Sequence, residues 1–316
     1  MTDIRKDSVT LLTIAEEGDG QRVDNYLIRL LKGVPKSHIY RIIRGGEVRV
    51  NKGRVAQTYR LQLGDLLRVP PIRLSSEPTA ERATPFQRVN FSVLYEDDAI
   101  LAIDKPAGMA VHGGSGISRG VIEQLRAQHP EYKFLELVHR LDRETSGVLL
   151  LAKKRSALIA LHEAIRENRT DKRYLTLVSG GWSNQRQSVK LPLLKYVTAD
   201  GERRVSVNAE GQASHTVFNL QRSLPQFSLL EAELKTGRTH QIRVHLSHLG
   251  FPIAGDDKYG DFTLNKQLAR QGLKRMFLHA WRLSFMHPLS GQPLSLEAPL
   301  PPELASFLAS LDQPSA

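Results

Sequence analysis

Residues 74–90 read LSSEPTAERATPFQRVN, a polar stretch with two prolines and neither the period of a strand nor that of a helix. Such a stretch is a linker, so the 316-residue chain must build its core in two parts. The expected division is a tail at 1–17, a small module at 18–73 and a larger domain at 91–312. Charge divides the same way. Residues 21–73 hold twelve Lys and Arg against three acidic residues, a net +9, and the other 263 residues carry only +2 of the total +11. Positive charge this localised is the footprint of a polyanion, with a merely solvated basic surface as the alternative.

The small module has a readable plan. From Arg22 to Gly33, apolar residues fall at Val23, Tyr26, Leu27, Leu30 and Leu31, one stripe of an amphipathic helix. Pro35 breaks the chain. Ser37 is placed to cap a second helix that ends at Gly45-Gly46, with Ile39, Ile42 and Ile43 inward and Arg41 and Arg44 on the outer face. Strand-like Glu47–Val50, the turn Asn51-Lys52-Gly53 and a further strand at Leu66–Val69 follow. Cations on one face of so small a unit can grip RNA by its phosphates and shape. The candidates for that contact are Lys36, Arg41, Arg44, Arg49, Lys52 and Arg54. Arg22-Val23-Asp24, the three isoleucines, Gly46-x-Val48-x-Val50-Asn51 and Gly64-Asp65 together resemble the S4 RNA-binding domain.

Composition removes several chemistries. The chain has no cysteine, which excludes disulfides, thiolate metal sites and a cysteine nucleophile, and fits a reducing cytoplasm. Its first twenty residues lack the apolar core of a signal peptide, and no run of about 18 apolar residues offers a membrane span. The expectation is a cytoplasmic monomer without membrane contact.

The larger domain opens with a hairpin: strand Phe91–Tyr95, turn 96–98, strand Ala99–Ile103. Helical periodicity follows at 120–128, 156–167, 239–249, 263–271 and 302–310. Strand-like runs fall at 147–152, 173–178, 214–220, 227–235 and 277–285. The two types mix without strict alternation, which predicts an α+β fold on a mixed, largely antiparallel sheet.

Four stretches of this domain can carry chemistry. In Leu137–Gly147 a charged loop feeds an apolar strand, and Asp142 stands between Arg140 and Arg143. Neighbouring cations favour the ionised carboxylate, a nucleophile or base, although a surface Asp–Arg pair reads the same way. In Lys235–His245, Thr239 is placed to cap a helix carrying Arg243. His240 and Gln241 offer hydrogen bonds, and Arg238 and Arg243 can hold a carboxylate or phosphate. The spacing of His240, His245 and His248 lacks the helical pair of a zinc site, so no metal is expected. In Asp171–Tyr174, Tyr174 opens a strand, where packing is the ordinary role and stacking on a base the functional one. Asp104–Gly116 is glycine-rich but fits neither phosphate-loop frame, and reads as a mobile loop near a site. No serine-hydrolase elbow and no dense acidic cluster for two-metal catalysis is present. The residues alone lead to an RNA-directed enzyme using a carboxylate and no cofactor, without naming the reaction.

His139-Arg140-Leu141-Asp142-x-x-Thr145-Ser146-Gly147 resembles the active-site motif of the RluA-type pseudouridine synthases. Arg173-Tyr174 and Gly237–His245 are similar to the second and third motifs of that family, and Asp104-Lys105-Pro106-x-Gly108-x-x-Val111-His112 is a further match ahead of them in the chain. Thr176 stands where many relatives carry Ala. The resemblance implies isomerisation of uridine to pseudouridine. Asp142 would be nucleophile or base, Tyr174 would stack on the target uracil, Arg243 would pair with Asp142, and Arg140 would support the site. His139, Arg238 and His240 join the candidates for RNA contact. Beside an S4-like module the expected substrate is 23S rRNA. The alternatives are another rRNA or tRNA target, or a non-catalytic S4-type assembly factor.

Overall fold

Isoleucines 39, 42 and 43 and the run Val148–Ala152 each seed a separate core, and the chain falls into two units, Met1–Arg88 and Val89–Ala316. The computed structural model describes residues 8–31, 34, 36–72, 89–113, 120–199 and 201–312, with the side chains of 36 and 37 excepted. The expected linker therefore lies almost wholly outside the described residues, as does the Lys36 side chain.

The first unit contains β1 (Thr10–Thr13), α1 (Val23–Leu30), α2 (Lys36–Arg44), β2 (Arg49–Val50), β3 (Gly53–Arg54) and β4 (Leu66–Val69). Its antiparallel sheet has the order β1-β4-β2-β3. Val23, Leu27, Ile39, Ile42, Ile43, Leu67 and Val69 form one buried cluster between helices and sheet. Each such side chain contributes about 1.5–3 kcal/mol by leaving water. Two expectations change here. Strand β1 lies inside the stretch read as a tail, because Leu12 enters this core while the alternate Leu11 and Thr13 stay exposed. Helix α2 already begins at Lys36, so Ser37 sits in its first turn rather than capping it.

Asn51 and Lys52 both have positive φ, 50° and 70°, which makes the tight turn between β2 and β3. That turn brings Arg54 directly opposite Arg49, and Arg49 is in turn opposite Arg68 on β4. Three arginines thus form a row across the sheet.

The second unit contains β5 (Ser92–Glu96), β6 (Ile100–Lys105), α3 (Val121–Gln128), β7 (Glu136–Leu137), β8 (Ser146–Ala152), α4 (Arg155–Arg166) and β9 (Asp171–Ser179). Then come β10 (Arg186–Val189), β11 (Leu193–Val197), β12 (Arg203–Val207), β13 (Thr216–Ser223) and β14 (Phe227–Leu234). Last are α5 (Gln241–His248), α6 (Phe262–Arg270), β15 (Leu278–Met286), β16 (Pro293–Glu297) and α7 (Pro302–Ser310). The main sheet runs β10-β13-β14-β9-β15-β8-β6-β5, with β16 on β15 and β7 on β8. All pairs are antiparallel except β15 with β8. The α+β architecture is as expected, and β7, β10, β11, β12 and β16 are additions to it.

Strand β8 is buried on both faces, which is why Val148–Ala152 is apolar without alternation. At its start Gly147 has φ +110°, and a Cβ there would stand 2.1 Å from the Ala280 carbonyl oxygen. Only glycine lets β15 come this close to the strand that carries the Asp142 loop.

Candidate active site

The loop between β7 and β8 is anchored at both ends. Leu141 enters the core, and the Thr145 N–H donates to the Asp142 carbonyl at 3.1 Å. The Leu150 N–H donates to His139 Nε2 at 3.1 Å, so this ring serves as a strut between loop and strand. Burial pushes the His139 pKa down to about 4, which keeps the ring neutral and accepting.

Beneath the loop lies Lys105, 0% exposed. Its ammonium donates to the carbonyls of Pro106, Met109 and Arg143 at 2.7, 2.9 and 3.1 Å. Burial first, and Arg275 second, lower its pKa to about 7. The Arg143 guanidinium returns a bond to the Gly108 carbonyl. The turn at 106–109 is therefore stitched to the Asp142 loop, contrary to the expectation of a mobile loop, while 114–119 lie outside the described residues. From the other side, Arg275 donates to the Glu144 carbonyl and to Ser146 Oγ. His279 Nε2 donates to the Ala298 carbonyl, so its Nδ1 accepts from Ser146 Oγ at 2.9 Å.

These anchors leave the Asp142 side chain 23% exposed at a cleft of about 280 Å³, toward the small end of ligand pockets. The cleft is lined by Leu141, Lys172, Tyr174, Leu234, Leu278 and Ile242, with Arg140 and Arg238 among the polar lining. Along β9, Lys172 and Tyr174 face this cleft. Arg173 between them faces the other side of the sheet, held by Asp171 and Glu231 at 2.7 Å each. Tyr174 thus lines the cleft beside Asp142, and only one of its two flanking cations shares its face. Burial first and the Asp142 charge second raise the Tyr174 pKa, so the phenol stays neutral.

Arg243 projects from α5 toward the same carboxylate. Its Nη1 lies 3.5 Å from Asp142 Oδ2, at the limit of a hydrogen bond. Its principal partner is Asp256, 1% exposed, which accepts from Nε and Nη2 at 2.7 Å each. Asp256 also accepts from the Lys258 and Tyr259 N–H groups. Burial opposes the charge on Arg243, but the hydrogen bonds and charge of Asp256 outweigh it and hold the guanidinium above the ordinary arginine range. The expected Arg243–Asp142 pair is therefore one arm of an Asp142–Arg243–Asp256 arrangement. Nothing in the spacing of Gly255-Asp256-Asp257 tells which aspartate turns inward.

Thr239 is not the cap of α5. The helix begins at Gln241, preceded by His240 at φ 54° and ψ 21°. The Gln241 amide does the bracing instead, accepting from Thr236 Oγ1 and the Arg238 N–H and donating to the His215 carbonyl and Thr216 Oγ1. His240 Nε2 lies 3.8 Å from Asp142 Oδ2, and its Nδ1 is 2.8 Å from the Tyr259 hydroxyl. His245 is buried against Leu191, Ser214 and Thr216. Among the described residues no group of three His, Asp or Glu side chains is placed to hold a metal ion.

In the first unit Arg41, Arg44, Arg49, Lys52 and Arg54 are all exposed. Arg68, counted in the charge but not among the contact candidates, completes the arginine row.

A carboxylate in a small cleft, faced by a buried arginine and walled by a neutral tyrosine, suits chemistry on a single flipped base. The family model for RNA pseudouridylate synthase matches residues 99–248, and that for the S4 domain matches 21–67. The ribosomal large subunit pseudouridine synthase C of Pasteurella multocida (strain Pm70) is 52% identical over 96% of this chain and 94% of its own length. The chain belongs to the pseudouridine synthase family. The synthase of the same name from Escherichia coli (strain K12) is 51% identical over 96% of this chain and 97% of its own. Among solved structures, human RNA pseudouridylate synthase domain containing 4 is similar with a TM-score of 0.57 and 27% identity, over 71% of this chain and 95% of that one. As a pseudouridine synthase the protein is an isomerase, and its partner is RNA.

Proposed function

We propose that this synthase converts uridine to pseudouridine in 23S ribosomal RNA, with Asp142 as the nucleophile or base. The observation that carries the reading is the Asp142 carboxylate, open to the cleft, faced by Arg243 and walled by Tyr174. The relatives about 50% identical over nearly the whole chain are named for the large ribosomal subunit, which supports that substrate. In the reaction the N1–C1′ bond breaks, the base turns, and C5 bonds to C1′. Nothing is oxidised or reduced, so one positioned carboxylate suffices and no cofactor is required.

Tyr174 stacks on the extruded uracil and Arg140 supports the site from the lining of the cleft, offsetting the few kcal/mol that unstacking costs. The module at 18–73 grips RNA phosphates through Arg41, Arg44, Arg49, Lys52 and Arg54, and the domain at 91–312 performs the chemistry. Arg238 and His240 line the RNA side of the cleft, whereas His139 serves the loop. The protein acts in the cytoplasm, a reading its lack of cysteine fits, and as a monomer. No helix among the described residues is long and apolar enough to cross a membrane.

Tritium release from rRNA labelled at uridine C5 tests the assignment. Asp142→Asn abolishes release while RNA affinity stays within about tenfold, because phosphate contacts dominate binding. Turnover by that variant would refute the role of Asp142. Mapping pseudouridines in 23S rRNA from cells lacking the protein identifies the sites, and an unchanged map would refute the substrate.

A further inference from the structure

Tyr259 sits between the β11–β12 hairpin and the Asp142 cleft. Its hydroxyl accepts the Val205 N–H at 3.0 Å and lies 2.8 Å from His240 Nδ1. A phenol has one proton to give. Among the described residues the acceptor within reach of that proton is His240 Nδ1. The opposite arrangement, with Nδ1 also donating, would leave the O–H without a protein acceptor, the costlier outcome. The neutral ring then carries its own proton on Nε2, the nitrogen that faces Asp142 Oδ2 at 3.8 Å.

We propose that Tyr259 is a positioning residue for the reaction: its hydroxyl, fixed by the Val205 amide, holds His240 in the form protonated at Nε2 and aims that N–H at the Asp142 carboxylate. The inference rests on the reading of Asp142 as the reacting group.

Two further observations agree with it. His240 is held in the left-handed region at φ 54°, a conformation sparsely populated by residues with a side chain, and such strain gathers at functional sites. Its charge is also suppressed. Burial lowers the His240 pKa, with Asp142 opposing and Arg243 and Lys258 adding to the effect. A neutral ring orients a carboxylate without forming a second ion pair that would compete with the substrate. The 3.8 Å separation closes by a small side-chain movement, as catalytic hydrogen bonds commonly tighten once substrate is bound. Asp142 then stands between two donors, Arg243 Nη1 and His240 Nε2, and keeps its remaining lone pairs for the reaction.

Nitrogen-15 correlation spectra of the histidine rings in the full-length protein test the proposal, with the His240 signals assigned by their loss in His240→Gln. The expected wild-type pattern at neutral pH is a bare Nδ1 and a protonated Nε2. Tyr259→Phe keeps the ring that packs under the Arg243 guanidinium at 5.1 Å but removes the hydroxyl. It is expected to mix the tautomers and to lower kcat about tenfold, the loss of roughly one hydrogen bond, with KM nearly unchanged. His240→Gln, whose amide nitrogen can replace Nε2, should retain more of kcat than His240→Ala. A wild-type ring protonated at Nδ1 or at both nitrogens would overturn the proposal, as would full kcat in Tyr259→Phe. The tautomer is read without turnover, so its failure leaves the assignment of Asp142 to be judged by Asp142→Asn alone.

Discussion

Arg243 is recruited to Asp142 by a residue that touches neither the cleft nor Asp142 in a hydrogen bond. Asp256 takes two of the three guanidinium nitrogens and leaves Nη1 for the Asp142 carboxylate. Burial of such a pair is costly unless every polar atom is engaged, and breaking one partner strands the other charge. Asp256→Asn keeps the shape and one acceptor but removes the counter-charge. The expected results are a stability loss of about 3 kcal/mol in urea titration and a fall in kcat of about a hundredfold as Arg243 drifts from register. RNA affinity should barely move. Normal turnover in this variant would mean that Arg243 holds its place without Asp256.

At the scale of elements, the turn between β2 and β3 shows how far a short segment could be read. The turn at Asn51-Lys52-Gly53 was legible from its asparagine and glycine, though the positive φ falls on Asn51 and Lys52 rather than on Gly53, and the structure adds what the turn achieves, the row Arg54–Arg49–Arg68. Like charges directly opposite one another weaken a sheet. A polyanion lying across the row would relieve that repulsion. Arg49→Ala with Arg54→Ala should therefore lower the slope of log K against log salt by about 1.5 for rRNA binding. An unchanged slope would remove the row from the RNA contact.

The apolar run of β8 and the isoleucine stripe of α2 were legible for a local reason: one element shows its own burial through spacing. The hairpin β11–β12 and strand β16 were not, although their partners are adjacent in sequence: Leu193–Val197 shows no alternation of buried and exposed residues, and Pro293–Glu297 is a short run that opens on a proline. The same distinction divides the site. Asp142, Tyr174 and Arg243 announce themselves in motifs. Asp256 and Tyr259 make contacts that spacing does not encode, and Thr239 does not cap α5 because the chain turns through His240 in the left-handed region before the helix begins at Gln241.

For the whole molecule, acid is the weak side. His139 and His279 both have pKa values pushed down to about 4, chiefly by burial, against 6.5 for an ordinary histidine. Between those values the unfolded chain binds protons that the folded chain refuses. Their stabilising effect is complete above pH 6.5 and is lost as pH falls toward 4. Urea midpoints measured across this range should drop with acid, and His279→Gln should flatten the slope. A midpoint independent of pH from 6.5 to 4 would show that neither ring resists protonation.

The Val205 bond to Tyr259 is made by a main-chain amide. Another apolar residue that fits the buried site of Val205 leaves that donor in place, so the link does not depend on a particular side chain there. Lys195, Tyr196 and Val197 toward the outer end of the hairpin are exposed and can be exchanged without touching that bond, provided the register of Leu193↔Val207 through Val197↔Arg203 survives. The surface chemistry of the hairpin and the placement of Tyr259 are in this way separable: one is written in side chains that can drift, the other in a main-chain bond.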